Sequence, residues 1–407
     1  MELIYEHCDI DKELKGKSIP KLIYEADHGN IMSMYQYGVL LEQGKEVSMN
    51  KEKAAQYYEH AIKGGNIYAM NNLGLLLYTG NGIPRNKARG LELLKRASDE
   101  GNVVSMFNYA VIHFRGDPED INLKVAFEYF TKASNEGHYL AIYNLATMYD
   151  NGEGVEPNKR EAARLYKISA DKGCVDAMIN YASMLRDGDG IEINKKESAH
   201  YYKLAADKGN VEMMSFYAKL LYCGDGIEIN KKEAARYFKL AADNGDTESI
   251  YFYAVMLSKG DGIQMNKTKA ARYFKLAADK GNINAMNQLG SLLYKGDGVK
   301  MNKKEAARLY KLAADTSNDP AACYNLSIML LDGDSIEQNL SEAVRYCKIA
   351  ADQGHDLAAY NYAVMLENGK YIRIDKREAA RYYKIAVDNG HPYAMQKYGK
   401  LKIYESL

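Results

Sequence analysis

Apolar side chains recur along most of the chain at helical spacing, in stretches separated by short breaks rich in glycine and asparagine. The segment from Gly281 to Asp315, GNINAMNQLGSLLYKGDGVKMNKKEAARLYKLAAD, carries the pattern in full. Ala285, Leu289, Leu292 and Leu293 fall at i, i+4, i+7 and i+8, one stripe of an amphipathic helix, here helix A. Gly296-Asp297-Gly298 predicts a turn that tolerates positive φ and stops that helix. Asn302 then stands where an N-cap belongs, with Glu305 three residues on at capping-box spacing. Ala306, Ala307, Tyr310, Ala313 and Ala314 form the apolar stripe of a second helix, helix B. The segment is therefore predicted to be a helical hairpin.

The hairpin recurs with a glycine ruler. Gly29, Gly65, Gly101, Gly137, Gly173, Gly209, Gly245 and Gly281 are 36 residues apart, and after one inserted residue near Asp319-Pro320 the series resumes at Gly354 and Gly390. The ruler glycine is expected at the C-cap of helix B. Nine residues past it the side chain is always small, as at Gly38, Ala110, Gly290 and Ala363, which predicts close approach of a second backbone. The residue before that is Tyr or Leu in every unit. N-caps for helix B recur from Asn50 to Asn339 and end with Asp375, six of them followed by Glu at the third position. One such hairpin cannot bury its stripe alone, so the units must stack. The predicted fold is all-α, a single α-solenoid, although 407 residues at about 150 per domain suggest two or three globular domains. Residues 1–28 read as an N-terminal extension and half-repeat cap, with Ser18 and Pro20 starting a lone helix B that runs to His28. Residues 29–389 read as ten repeats, and 390–407 as a capping helix A from Pro392 to Leu407.

These residues resemble the Sel-1-like repeat family, a relative of the tetratricopeptide repeats. The family pattern is met by Ala285, Leu289, Gly290, Leu293, Gly296, Gly298, Val299, Ala306, Leu309, Tyr310, Ala313 and Ala314, and ten copies in register cover essentially residues 18–407. The resemblance implies a right-handed superhelix of helix pairs whose inner surface is lined by A helices. It also implies an adaptor or scaffold rather than a catalyst, with a subunit of an endoplasmic-reticulum-associated degradation ubiquitin ligase as the alternative. The family's usual Trp in helix B is Tyr or Leu here, from Tyr57 and Leu93 to Tyr382, which accounts for part of the surplus of 35 Tyr over 8 Phe and no Trp.

Composition narrows the function. Lys plus Arg and Asp plus Glu both total 54, so net charge is zero and an electrostatic grip on nucleic acid or an anionic membrane is not expected. Five cysteines at irregular spacings read as free thiols in a reducing compartment, and the charged first residues and lack of a long apolar run predict a cytoplasmic protein with no membrane insertion. The sequence contains no G-x-S-x-G, P-loop, H-E-x-x-H or kinase signature, so no enzyme activity, cofactor, metal or small-molecule substrate is expected. The β-lactam hydrolysis proposed for cysteine-rich relatives has no support in these residues. Asp187-Gly-Asp189-Gly and Asp332-Gly-Asp334 lack the position-five carboxylate and position-six glycine of a calcium loop and read as turns. Four of the eight histidines, His28, His138, His355 and His391, flank ruler glycines, where a helix C-terminus suits a cation.

The candidate binding residues lie seven past the ruler on helix A. Asn72, Asn108, Asn144, Asn180, Asn325 and Asn361 recur there although Asn is a poor helix former, and Phe216 and Phe252 interrupt the series. In tetratricopeptide relatives such an Asn makes a bidentate hydrogen-bond pair with a bound peptide's backbone. Two readings stay open: backbone clamps for a protein or peptide partner, or bonds that fix the angle between units. Phe216 and Phe252 read either as an apolar anchor pocket or as filling of a looser core. Tyr35, Phe107, Tyr143, Tyr251, Tyr324 and Tyr360, one residue earlier, widen that surface on the first reading. Asp189, Asp225, Asp261, Asp297 and Asp334, with Lys195-Lys196, Lys231-Lys232 and Lys303-Lys304 behind them, read as a solvated rim.

Overall fold

The computed structural model describes residues 3–5, 18–333 and 336–405, so Cys8 and Asp334 lie outside the described residues. These residues form 22 α-helices and no strand. The chain divides into two compact units, Met1–Lys208 and Gly209–Leu407. The first begins with α1 (Ile19–Asp27) and continues as five hairpins. They are α2 (Ile31–Gln43) with α3 (Lys51–Lys63), α4 (Ile67–Thr79) with α5 (Lys87–Asp99), α6 (Val103–Arg115) with α7 (Leu123–Asn135), α8 (Tyr139–Asn151) with α9 (Lys159–Asp171), and α10 (Val175–Asp187) with α11 (Lys195–Asp207). The second unit pairs α12 (Val211–Cys223) with α13 (Lys231–Asp243), α14 (Thr247–Lys259) with α15 (Lys267–Asp279), and α16 (Ile283–Lys295) with α17 (Lys303–Ser317). It continues with α18 (Pro320–Asp332) and α19 (Leu340–Asp352), α20 (Asp356–Asn368) and α21 (Lys376–Asp388), and closes with α22 (Ala394–Leu401). Even-numbered helices are A and odd-numbered helices B. Within each unit every helix packs on the one before and the one after it, the arrangement of an α-solenoid.

Caps set the boundaries. All ten B-helix caps from Asn50 to Asp375 accept a hydrogen bond from the backbone N–H three residues on. The return bond expected from the capping-box glutamates is replaced. The N-cap backbone N–H donates instead to a helix A carbonyl nine residues earlier, as Asn158 does to Tyr149 at 2.8 Å and Asn194 to Leu185 at 2.8 Å. Five of the six glutamates, relieved of that task, pair with an arginine three residues on, as Glu161 with Arg164 and Glu305 with Arg308, at 2.6 and 2.7 Å, while Glu197 accepts from the Asn194 side chain at 3.0 Å. The ruler glycine lies one place beyond the expected C-cap. At the end of α3 the C-cap is Gly64, and Gly65 follows at φ +85°. Gly65 N–H donates to Ile62 at 2.9 Å and Asn66 N–H to Ala61 at 3.0 Å, a Schellman closure that only a left-handed residue permits at low cost. The next residue, Asn66, then caps α4, so each Gly-Asn pair ends one helix and starts another.

Helices A and B meet through the Tyr or Leu positions. Six units place tyrosine edge-on to tyrosine: Tyr37 on Tyr57, Tyr109 on Tyr129, Tyr181 on Tyr201, Tyr217 on Tyr237, Tyr253 on Tyr273 and Tyr362 on Tyr382, with centroids 4.7 to 4.9 Å apart. Three units put leucine at both positions (Leu73 and Leu93, Leu145 and Leu165, Leu289 and Leu309), and Leu326 with Tyr346 alone is mixed. The small residue beside this knob serves mostly to admit a ring. A Cβ on Gly38 would sit 2.6 Å from the Tyr58 ring and one on Gly290 2.7 Å from Tyr310. The expected backbone approach is found at α4 and α5, where a Cβ on Gly90 would lie 2.7 Å from the Gly74 carbonyl oxygen.

Successive hairpins are tied at a separation of about thirty residues. The B-helix tyrosine hydroxyl donates to an aspartate at the end of the preceding B helix, as Tyr129 does to Asp99 at 2.9 Å, Tyr201 to Asp171 at 2.6 Å and Tyr346 to Asp315 at 2.6 Å. Three of the turn aspartates pair with a lysine that precedes them in sequence. Asp189, Asp261 and Asp297 receive Lys159, Lys231 and Lys267 of the preceding hairpin at 2.9, 2.8 and 2.6 Å. These partly exposed pairs contribute ~0–1 kcal/mol each.

Two boundaries differ from expectation. Gly116 has φ −75° rather than a positive value, because Pro118–Asp120 forms a 3-10 turn in place of Gly-Asp-Gly. The closing helix starts at Ala394, not Pro392, since the His391 ring accepts from Tyr393 N–H, two residues on, and closes a turn instead of a cap. For the tyrosine pairs, a double-mutant cycle on Tyr181→Leu and Tyr201→Leu by urea unfolding should give a coupling of about 0.5–1.5 kcal/mol, with the double variant losing less than the two singles together. Strict additivity would remove the edge-on contact as a source of stability.

Candidate peptide-binding face on the A helices

The residues seven past the ruler do not share one environment. Asn108 on α6 is fully buried and bonds to both backbone groups of Ile4: Ile4 N–H donates to its Oδ1 at 2.8 Å, and its Nδ2 donates to the Ile4 carbonyl at 2.7 Å. Asn72, equally buried on α4, turns sideways and donates to the Tyr58 hydroxyl at 3.4 Å. Its neighbour Asn71 takes the outward role, donating to Ile4 O at 3.3 Å and to Asn72 Oδ1 at 3.0 Å. Asn71 Oδ1 accepts from Asn108 at 2.9 Å and from the Ser105 hydroxyl at 3.2 Å. The sequence reading missed Asn71 and Ser105, and the Asn71-Asn72 doublet mid-helix was the available signal.

This network continues to a buried carboxyl. Tyr58 donates at 2.6 Å to Glu42, which burial pushes up to about 7, with the Tyr58 bond and the nearby Lys51 charge opposing the rise. The remaining asparagines are half-buried. Asn144 Nδ2 donates to Leu140 O of its own helix at 2.8 Å, and Asn361 to the Tyr324 hydroxyl of the preceding hairpin at 3.2 Å. Asn180 bonds to Tyr166. Asn325 is half-buried and makes no hydrogen bond to another described residue.

Phe216 and Phe252 are half-buried on α12 and α14. Phe252 lays one face on buried Phe238 at 5.2 Å and carries the Lys219 ammonium 5.7 Å from its centroid. Lys219 is also paired with Glu248 at 2.6 Å. Of the aromatics one residue earlier, Tyr143, Tyr251, Tyr324 and Tyr360 are half-buried, whereas the other two pack inward. Tyr35 and Phe107 are each 2% exposed and lean on Tyr58 and Phe130 of the following B helix, so neither widens a surface.

Of the histidines beside the ruler glycines, His28 is the C-cap of α1, as expected, whereas two others act in the opposite sense. His138 and His355 are N-caps of α8 and α20, their Nδ1 accepting from Ala141 and Ala358 N–H, and they stack on Phe107 and Tyr324 at 4.6 and 4.7 Å. Burial holds both rings below the usual histidine range, and a neutral acceptor is what a helix N-terminus requires. Among the carboxylates, Asp117, Glu119 and Asp120 converge, and Lys87 Nζ pairs with all three. A cleft of about 460 Å³ lined by Ala307, Arg308, Leu326, Leu330 and Ile336 lies between hairpins and includes none of the asparagines seven past the ruler.

The hairpins match the Sel1 repeat at residues 31–66, 67–102, 103–138, 140–174, 175–210, 211–246, 247–282, 283–316, 320–355 and 356–391. The chain belongs to the Sel1 repeat family. Its fold is similar to that of a protective antigen of uropathogenic Escherichia coli strains displaying an SLR fold, with TM-score 0.74 and 24% identity over 95% of this chain and 82% of that one. A Sel1 repeat protein from Oxalobacter formigenes is similar with TM-score 0.61 and 22% identity, covering 81% of this chain and 93% of that one. No curated protein matches the chain. Sel1 repeat proteins generally mediate protein–protein interaction and are generally not enzymes. Among the described residues no helix is long and apolar enough to cross a membrane.

Because the folded-state values of His138 and His355 are lowered, the unfolded chain binds protons more readily, so their contribution is complete above about pH 6.5 and lost as pH falls through the folded values. His138→Asn/His355→Asn, which restores the cap used at Asn66 and Asn282, should flatten the fall in Tm between pH 7.5 and 5; an unchanged slope would exclude these rings as its source.

Proposed function

We propose that this Sel1 repeat protein is a non-enzymatic scaffold that holds an extended segment of a partner polypeptide against its A helices, in the reducing environment of the cytoplasm. The observation that supports this most is the Asn108 pair: one amide side chain satisfies the N–H and C=O of a single residue, as an opposing strand does. Such bonds address backbone and tolerate sequence. Within the first unit the half-buried Asn144 and Asn180 extend this face and Asn72 braces it; within the second, Asn325 and Asn361 hold the same helical position, and Phe216 with Phe252 offers an apolar anchor for one partner side chain. Unpaired thiols at Cys174, Cys223, Cys323 and Cys347 support a reducing location.

Affinity purification with the full chain should recover a partner polypeptide that Phe216→Ala/Phe252→Ala recovers at least about tenfold less well at unchanged Tm. Equal recovery would remove the aromatic pair from the binding face, and turnover of a small molecule by the purified chain would overturn the scaffold reading.

A further inference from the structure

We infer that residues Leu3–Tyr5 are a built-in occupant of this face, and that a partner's extended segment of the form aliphatic-x-tyrosine must displace them to reach Asn108. The inference rests on the scaffold reading and adds to it a regulated seat and a preferred ligand.

Three observations converge on the seat. The N–H and C=O of one residue point to the same side only in extended backbone, so the Asn108 pair fixes the form in which Ile4 is held. Asn71, Ser105 and Asn108 beneath it are each 0% exposed, and Asn71 adds a second donor to the Ile4 carbonyl. The flanking side chains are also received. Leu3 and Tyr5 pack on the cluster of Leu75, Tyr78, Leu94 and Ile112, and Tyr5 packs as well on the neighbouring cluster that contains Leu73 and Leu76. The Tyr5 hydroxyl is in hydrogen-bond contact with Thr79 and Asn81, while burial raises its pKa.

The occupied seat differs from the equivalent position elsewhere. Asn144 bonds back to its own helix and Asn361 to Tyr324, so at those helices the amide is taken up internally rather than by a chain segment. The Leu-Ile-Tyr-Glu sequence recurs at residues 22–25, but there Leu22 is fully buried in α1, so that copy does not compete. Side-chain selectivity falls on the outer two residues, because the bonds to Ile4 use only its backbone. Twelve residues, 6–17, separate Tyr5 from Ser18. Carried on the same chain, the Leu3–Tyr5 segment competes in cis with any partner for this seat.

The test uses the full chain, as wild type and as Leu3→Ala/Tyr5→Ala, and a fluorescein-labelled synthetic peptide MELIYEH read by anisotropy. The variant should bind the peptide at least about tenfold more tightly than the wild type. The same peptide N-methylated at its isoleucine, which removes the hydrogen offered to Asn108 without touching the protein, should lose at least about tenfold in affinity for the variant. Equal binding by wild type and variant would overturn the built-in occupant and leave the scaffold reading standing. Undiminished binding of the N-methyl peptide would overturn the Asn108 seat. Peptide binding by neither protein would overturn the occupant, whereas the scaffold reading is decided separately at Phe216 and Phe252.

Discussion

The structure depends on how closely helix A can lie on helix B within a hairpin. That distance is set by two facing side chains and the small residue beside them, and the two facing positions are matched: tyrosine with tyrosine or leucine with leucine in all units but the one with Leu326 and Tyr346. A tyrosine against a leucine leaves either a void or an overlap, and interiors tolerate neither well. The edge-on geometry also leaves the B-helix hydroxyl pointing at the preceding B helix, where Asp27, Asp99 or Asp171 accepts it. One residue thus fixes the spacing inside a hairpin and ties it to its neighbour.

The candidate face on the A helices inherits its properties from this packing. At every such site but Asn325, an asparagine at position seven of helix A takes its partner from a neighbouring helix, its own backbone or another chain segment. Asn72, Asn180 and Asn361 find tyrosines, Asn144 finds Leu140, and Asn108 finds Ile4. The same residue type at the same helical position bonds to a neighbouring helix at some sites and to an extended segment of its own chain at Asn108. Unpaired buried amides are costly, so each site resolves according to what stands within reach.

Much of the hairpin is legible because it is local. Stripes, breaks and B-helix caps follow from periodicity and from the geometry of Asn and Gly, and they recur so often that register errors cancel. The misreadings share one cause. The capping-box glutamates, the turn aspartates and the histidines beside the ruler were each assigned partners near in sequence, whereas Asn158 donates to Tyr149 on helix A, Asp189 meets Lys159 thirty residues back and His138 stacks on Phe107. The burial of Tyr35 and Phe107 escaped for the same reason, since the rings that cover them belong to the following helix B.

Sequence by itself determined the repeat, its helices and the all-α class, because those follow from interactions within a few residues of the chain. Tertiary structure alone decided which asparagine meets a neighbouring helix and which an extended segment of the chain. The Leu-Ile-Tyr-Glu sequence shows the division most directly: at 22–25 it lies in α1 with Leu22 buried, while at the start of the chain Ile4 is held as a strand would be. Identical residues carry identical propensities, so the difference lies in what they meet. Leu22 meets an apolar stripe that rewards a helix, and Ile4 meets two buried amides that reward an open backbone.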